Sequence, residues 1–590
     1  MAEAKQTNGK GWRKTDVLDE RFVKYYELQG IITPENKSAF VEIINQPLPT
    51  SFRLTKNEFF EQTQQTLETL IEQIPQNLRP EKIAWYSTAY QINAKKTDIK
   101  KNPELKKIQE FMLKMNESGE VTRQEVVSMI PALLLDCQKG MAVLDVCAAP
   151  GSKTTQLIEM VGKEGCVAAN DSDVVRSRLL VHQTKRLNAP QLLITNFRAQ
   201  KLEYQSEQFD RLLCDVPCTG DGTLRKCIDA KIKFDIYDAY TIHREQIDIM
   251  KNVLHFLKVG GLFVYSTCSL NPIEDEAVVS EILRRYAGKV RLVDVANRIQ
   301  GLRYSAGISE WKVVDRNYNE IHSFSQLSEN KELSDRIPKT VFPPSQSEKE
   351  QFGLHKCMRI LPFLQNTGGF FCALFEKTGA IEVIKKEGKE KWKKGGIQTE
   401  EQHSKKGNSW TRPKEMGVLQ SITQQSQIVD FLRTFYNISS SFDFGQVYSV
   451  GNDLKSLYFV SQKAQEISQH SKLVCGGVQL FKCKKLEQLD TFRICSEGVS
   501  ILSDFVDKER VIEISHQNFL ELLTQEIPLE KFHREFRVKG CLIVLIGNGP
   551  FKNALFNCWV GKESLRLCVC YEQLLSFAML FGISEQLVIK

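Results

Sequence analysis

The sequence has no apolar run at its start and none approaching the length of a membrane span. It opens Met-Ala-Glu-Ala-Lys-Gln-Thr-Asn, and its densest apolar stretch is only Cys541 to Gly547, far short of the about 20 residues that crossing a bilayer takes. Neither a secretory signal nor a membrane partner is expected, and an intracellular protein is. Its sixteen cysteines should then be reduced thiols. No Cys-x-x-Cys pair occurs among them, so a metal site is not expected either. Charge of one sign is also scarce: 79 Lys+Arg against 72 Asp+Glu leave a net +7, which fits a nucleic-acid partner without demanding one. The glycines of a pyrophosphate-binding G-x-G-x-x-G and the second glycine of a phosphate-binding P-loop are both missing from the one loop where they would be sought.

What is present is a long chain of 590 residues, too many for one hydrophobic core. Residues 1–46 read as a polar tail and short helices. Residues 47–130 read as an α+β region, with a strand at Ser51–Thr55 and a helix over Pro103–Met115. From Met141 the chain alternates, with strands at Met141–Cys147, Cys166–Asn170, Gln191–Phe197, Phe209–Val216 and Gly261–Thr267. Helices are expected at Thr154–Met160, Val174–Leu187, Tyr237–Leu257 and Pro272–Tyr286. Such alternation predicts an α/β fold, a doubly wound parallel sheet, over residues 131–378. Residues 379–417 form a basic linker, in which 381–415 carry ten basic and six acidic residues with little apolar periodicity. Residues 418–590, with short strands interrupted by Gly, read as one further α+β domain.

In a doubly wound sheet, ligands bind beyond the carboxyl ends of the strands near the topological switch point. The segment Val143–Lys153 is a strand, a turn of small residues and the start of a helix, and small residues let a ligand come close to the backbone. Asp171 ends the next strand about 20 residues on, where a carboxylate can accept from ribose hydroxyls; the alternative is a cap for the helix that follows. Two more strand ends carry thiols: Asp215-Val216-Pro217-Cys218 and Ser266-Thr267-Cys268. If those strands are neighbours, Cys218, Cys268 and Asp215 share one crevice.

Methylation of an unactivated aromatic carbon calls for such a set. Carbon 5 of cytosine is a poor nucleophile until a thiolate adds to carbon 6. An acid near ring nitrogen 3, for which Asp215 is the candidate, stabilises the charge that develops, and a second thiol can assist release. A free thiol is mostly protonated at neutral pH, and Lys153 is the candidate for the local positive charge that favours thiolate. Buried cysteines as plain apolar filler are the alternative. After Cys268, Asn271 reads as a helix N-cap, Pro272 as the first helical position and Glu274 as the closing member of a capping box, with Asp275 and Glu276 favouring the helix dipole.

The runs VLDVCAAPGSKTTQLIEM (Val143–Met160), NDSD (Asn170–Asp173), RLLCDVPCTGDGTLRK (Arg211–Lys226), YSTCSLNPIEDEAVVSEIL (Tyr265–Leu283), ESGEVTRQEVVSMIPALLLD (Glu117–Asp136) and RILPFLQNTGGFFCALFEK (Arg359–Lys377) resemble the Sun/Fmu-type RNA cytosine-5 methyltransferases. The resemblance runs along nearly the whole chain and is nearest to the eukaryotic multisite tRNA branch. It implies a Rossmann-like class I methyltransferase domain, S-adenosyl-L-methionine as cofactor, tRNA as partner, a PUA-like RNA-binding carboxy-terminal domain, and a monomer in the nucleus or nucleolus. The linker segment Lys385–Lys394 would serve as a nuclear signal. The resemblance implies that Cys268 is the nucleophile, that Cys218 aids product release, and that Asp215 contacts cofactor and base. Cys147, Ala148, Ala149, Pro150, Gly151, Ser152, Lys153, Asp171 and Arg176 would contact the cofactor, and Arg53, in LPTSFRLTK, would be structural or touch RNA. One departure stands out: Arg198 takes the place of the family's usual Asp after the third strand, with Asn196 as a substitute hydrogen-bonding group. Two other readings remain at this point. A DNA cytosine methyltransferase would use Cys218 as nucleophile, but its Glu-Asn-Val companion is missing. A catalytically silent RNA-binding protein would keep the fold alone.

Overall fold

The computed structural model describes residues 18–94, 96–226, 234–327, 330–382, 417–469, 471–532, 540–549 and 551–583. Most of the basic linker, its Lys385–Lys394 segment and the first 17 residues lie outside these. Among the described residues no helix is long and apolar enough to cross a membrane.

The amino-terminal sheet contains β1 (Thr50–Leu54), β2 (Glu81–Ile83), β3 (Tyr86–Ile92) and β4 (Val121–Arg123), in the order β2-β3-β1-β4. The adjoining helix, Pro103–Ser118, starts where Asn102 accepts the Leu105 N–H at 2.9 Å and ends at Gly119, whose φ is +100°. A side chain at Gly119 would run into the Arg186 carbonyl at 2.7 Å, so the residue is required by space as well as by backbone.

The central sheet contains β5 (Ala142–Asp145), β6 (Cys166–Asn170), β7 (Leu192–Thr195), β8 (Phe209–Asp215), β9 (Leu257–Thr267), β10 (Val290–Leu292), β11 (Ser305–Ala306), β12 (Met358–Ile360) and β13 (Phe370–Lys377). Its order is β11-β12-β13-β9-β8-β5-β6-β7, with β10 beside β13. Strands β5 to β9 are parallel and the later ones antiparallel. The chain winds outward from β5 to β7, then returns to β8 on the other side. The switch point therefore lies between β5 and β8, and the crevice opens at their carboxyl ends. Strand β9 begins at Leu257 rather than Gly261 because Leu257 pairs with Phe209.

The helix expected over Pro272–Tyr286 is Glu276–Arg285, and the expected capping box is absent. The Asn271 side chain accepts from the Tyr25 hydroxyl (2.8 Å) and the Ile273 N–H (3.1 Å). The Glu274 carboxylate is drawn toward Thr219 and Ser269 instead of back to Asn271. Long-range partners have outcompeted a local motif.

The carboxy-terminal region, read as one further α+β domain, holds two sheets. The first runs Leu419–Ser421, Val447–Val450, Ser456–Phe459, Val478–Lys482, Arg493–Ile494. The second contains Val511–Ile514, Gly540–Ile546, Leu555–Val560, Ser564–Leu567 and Ile527–Pro528. Strand Gly540–Ile546 is buried on both faces, which is why it reads as a continuous apolar run. Leu542, Val544 and Ile546 pack with Phe52, Leu105 and Phe111 of the amino-terminal region, whereas Cys541 and Ile543 face the first carboxy-terminal sheet. Cys475–Gly476 adds a strand to the free edge of β7, Cys475 opposite Ile194.

The short amino-terminal helices Glu20–Leu28 and Lys37–Ile44 share the core of the central sheet through Phe22, Tyr25, Tyr26 and Phe40.

Candidate active site

The crevice is built from four loops that leave β5, β6, β8 and β9. The first carries Cys147, Ala148, Ala149, Pro150, Gly151 and Ser152. Its backbone is tied to the neighbouring strand end: Ala148 N–H donates to the Asn170 carbonyl (2.7 Å) and Ala149 N–H to Asp171 Oδ2 (3.1 Å). Gly151 has φ +109°, and a Cβ there would meet Leu180 at 2.8 Å, so only glycine lets the turn nest against helix Val174–Lys185. The Asn170 amide bridges Val146 and Phe197 and accepts from Thr195, lacing the loops after β5, β6 and β7 together. Sequence reasoning passed over this residue, although it directly precedes Asp171.

The helix after the cofactor loop, Ser152–Val161, is held from outside by the amino-terminal sheet. Along β1 the side chains alternate: Phe52 and Leu54 enter the apolar core shared with the carboxy-terminal sheet, and Arg53 points the other way. Arg53 is fully buried and bonds Gln124 (3.0 Å), Thr155 (2.5 Å) and Glu159. Of its two expected roles, the structure gives it the structural one.

Asp171 is 2 % exposed and does not cap the next helix; Asp173 does, accepting the Arg176 N–H at 2.8 Å. The Asp171 carboxylate accepts from two backbone N–H groups, those of Ala149 and Asp173, with the Arg176 guanidinium 3.4 Å away. Arg176 also donates to the Ala149 carbonyl, so it clasps the cofactor loop to the end of β6. Asn196 donates to the Asp171 carbonyl (2.7 Å) and Ser177 Oγ (3.0 Å). Arg198 is exposed and lies 3.8 Å from Glu245.

At the end of β8, Asp215 faces Lys153. The ammonium is 2.7 Å from Asp215 Oδ2, and Ser266 donates to Oδ1 at 2.8 Å. Burial works against the Lys153 charge, but the Asp215 carboxylate outweighs it and the Lys153 pKa is raised, so the ammonium persists. Burial pushes the neighbouring Asp145 carboxyl up to about 7. Asp145, Asp171 and Asp215 thus gather at one end of the sheet, each with its own partner: the Thr154 hydroxyl, the Arg176 guanidinium and the Lys153 ammonium.

Strands β8 and β9 are adjacent, Asp215 opposite Ser266. This brings Cys218 and Cys268 together with their sulfurs 3.2 Å apart. The bond to Cys268, followed by burial, pushes the Cys218 thiol well above its ordinary range, so Cys218 stays protonated. Gly222 N–H donates to the Cys268 carbonyl (2.9 Å), and a Cβ on Gly222 would strike that oxygen at 2.6 Å. Beneath Cys268 lies a buried ionic cluster. Arg359 bonds Glu276 through both ends of its guanidinium and donates to the Leu270 carbonyl (2.8 Å), while Thr267 donates to Asp275 (2.7 Å). Thr267 and Leu270 flank the thiol, so the cluster fixes the backbone on either side of it.

Two tyrosines from the first helix also reach these loops, Tyr25 to Asn271 and Tyr26 to Asp221. They lie hundreds of positions away in sequence, and no local signal could have found them.

A doubly wound sheet with this switch point and a glycine turn after β5 defines a Rossmann-like domain, and the matches that follow make it a methyltransferase domain that uses S-adenosyl-L-methionine. Residues 132–376 match the family described as 16S rRNA methyltransferase RsmB/F, and residues 419–507 match the NSUN2 Pre-PUA domain. The chain belongs to the RNA (cytosine-C5)-methyltransferase family, in its eukaryotic multisite tRNA branch. It is 33% identical to the multisite-specific tRNA:(cytosine-C(5))-methyltransferase of Saccharomyces cerevisiae, over 95% of this chain and 89% of that one. It is 31% identical to the tRNA (cytosine(34)-C(5))-methyltransferase of Drosophila melanogaster, over 95% and 85% respectively. A solved methyltransferase homologue from Pyrococcus horikoshii superposes with TM-score 0.42 at 23% identity, covering 61% of this chain and 95% of that one.

The residues present fit S-adenosyl-L-methionine. Asp171 would offer its carboxylate to ribose hydroxyls, beside the Ala149 and Asp173 N–H groups from which it already accepts. Replacing Asp171 with Asn should weaken S-adenosyl-L-methionine binding by about 10- to 100-fold, the usual scale for hydrogen bonds to a charged group. Calorimetric titration measures this, and an unchanged dissociation constant would remove Asp171 from the binding set.

Proposed function

We propose that this chain methylates carbon 5 of cytosine in tRNA through a transient bond between Cys268 Sγ and carbon 6. The observation that carries the reading is the pair of sulfurs 3.2 Å apart, beside a Lys153–Asp215 ion pair.

The chemistry follows from the groups in place. A target base within a folded tRNA must swing out of its stack to enter the crevice, at a cost of a few kcal/mol. Cys268 adds to carbon 6 as thiolate. The Lys153–Asp215 pair supplies the proton-bearing contact to ring nitrogen 3, where negative charge would otherwise build up. S-adenosyl-L-methionine, when bound, supplies the electrophilic methyl group that the activated carbon 5 accepts. Release requires the carbon-5 proton to leave and the carbon–sulfur bond to break. Cys218, held as a thiol, gives its proton to the departing Cys268 sulfur and takes the carbon-5 proton in exchange, so the protons balance.

The relatives that match nearly the whole chain, from Saccharomyces cerevisiae and Drosophila melanogaster, are named as tRNA methyltransferases, and the two carboxy-terminal sheets together with the amino-terminal region supply flanking surface for a folded RNA. Bisulfite sequencing of cellular RNA with and without this protein tests the reading. Cytosines in tRNA should lose protection when the protein is absent; an unchanged tRNA profile would refute it. A nuclear location is part of the same proposal, and detection of the protein itself in nuclear and cytoplasmic fractions tests it.

A further inference from the structure

Glu274 was expected to cap a helix, and the structure has set it to another task. Its side chain is fully buried. One carboxylate oxygen accepts the Thr219 N–H (2.8 Å); the other accepts the Thr219 hydroxyl (2.5 Å) and the Ser269 hydroxyl (3.1 Å). Thr219 directly follows Cys218, and Ser269 directly follows Cys268. A single carboxylate therefore fastens the residue after each thiol to the same point. Asp221 makes a second, parallel tie, accepting the Leu270 N–H at 2.8 Å and the Tyr26 hydroxyl. The Tyr265 hydroxyl donates to the Glu274 carbonyl (2.5 Å), which anchors the clamp to β9.

We propose that Glu274 is a positioning residue that sets the spacing between Cys218 and Cys268 and so governs release of the methylated base from the enzyme. It touches neither base nor cofactor and acts through Thr219 and Ser269. Its tie to Cys218 is the stronger one, with two short bonds against one long one. Cys268 is fixed independently by the Arg359 cluster and the Gly222 N–H. Loss of the Glu274 carboxylate therefore displaces Cys218 more than Cys268. A glutamine replaces it only in part: its carbonyl can keep the Thr219 N–H bond, but its amide meets the Thr219 and Ser269 hydroxyls only as a donor, so both hydroxyls lose the acceptor they have in Glu274.

The inference rests on the roles given above to the two thiols, and its test separates the two. Wild type, Cys218→Ala, Glu274→Gln and Thr219→Val are each mixed with an unmodified tRNA transcript and S-adenosyl-L-methionine. Covalent protein–RNA complex is counted after denaturation, alongside single-turnover methyl transfer. Glu274→Gln and Thr219→Val should accumulate methylated adduct to roughly ten times the wild-type level or more, with single-turnover transfer changed less than about three-fold. Thr219→Val leaves Glu274 in place and removes one hydroxyl, so it carries the test if Glu274→Gln does not fold. If Cys218→Ala traps adduct and neither clamp variant does, or if transfer and release slow in equal measure, Glu274 is only structural and the inference falls. If Cys218→Ala itself fails to trap adduct, the role of Cys218 falls and the inference with it.

Discussion

Replacing Cys268 with alanine should abolish methylation, by roughly 10⁴-fold or more, and leave no covalent RNA complex. Replacing Cys218 should have the opposite effect on the complex, which should accumulate because the addition step survives and expulsion does not. The reason is positional. Both sulfurs occupy strand ends on one crevice, and the backbone on either side of Cys268 is held by the buried cluster, through Thr267–Asp275 and through the Arg359 bond to the Leu270 carbonyl. A nucleophile that must meet carbon 6 at one point needs that fixity. Cys218 is protonated and bonded to the other sulfur, which suits a group that moves a proton afterwards. Gel separation of labelled tRNA from denatured enzyme distinguishes the two outcomes. Adduct in Cys268→Ala and none in Cys218→Ala would reverse the assignment and favour the arrangement of DNA cytosine methyltransferases.

Replacing Arg359 with methionine should cost about 3–5 kcal/mol of stability, because it leaves Glu276 and Asp275 buried without their cation. In a domain of this size that corresponds to a fall of about 10 °C in the melting transition. The sign of its pH dependence follows from Asp275, whose carboxyl is pushed well up by burial. A group whose folded pKa lies above its unfolded one stabilises at low pH and loses that contribution as pH rises. Without Arg359 this behaviour should dominate, so the deficit should be smaller near about pH 5.5 than near about pH 8. Calorimetric melting at the two values checks this; a deficit of equal size at both would mean that the cluster is not ionic in the way the geometry implies.

Much of the site was legible because it lies on consecutive strands of one sheet. Val143–Lys153, Asp171, Asp215–Cys218 and Ser266–Cys268 each sit at the end of an apolar run, and alternation of strand and helix puts such ends on one edge. The reading failed where a side chain chose a distant partner over a near one. Asn271 and Glu274 have the spacing of a capping box, yet the hydroxyl of Tyr25 and the loop of Thr219 outbid it. Arg53 could have been an RNA contact, and only the docking of β1 on the helix Ser152–Val161 buried it. The two sheets of the carboxy-terminal region were not told apart because short strands carry no mark of which sheet they join.

The sequence alone determined the fold class and the methyltransferase family, and it put the two thiols at strand ends, since strand periodicity and residue type are local properties. Tertiary structure alone decided the 3.2 Å between those sulfurs, the clamp of Glu274 and the cation beneath Cys268. Each of these depends on groups far apart in the chain coming within hydrogen-bonding distance, and that distance is set by packing between elements rather than by any spacing along the chain.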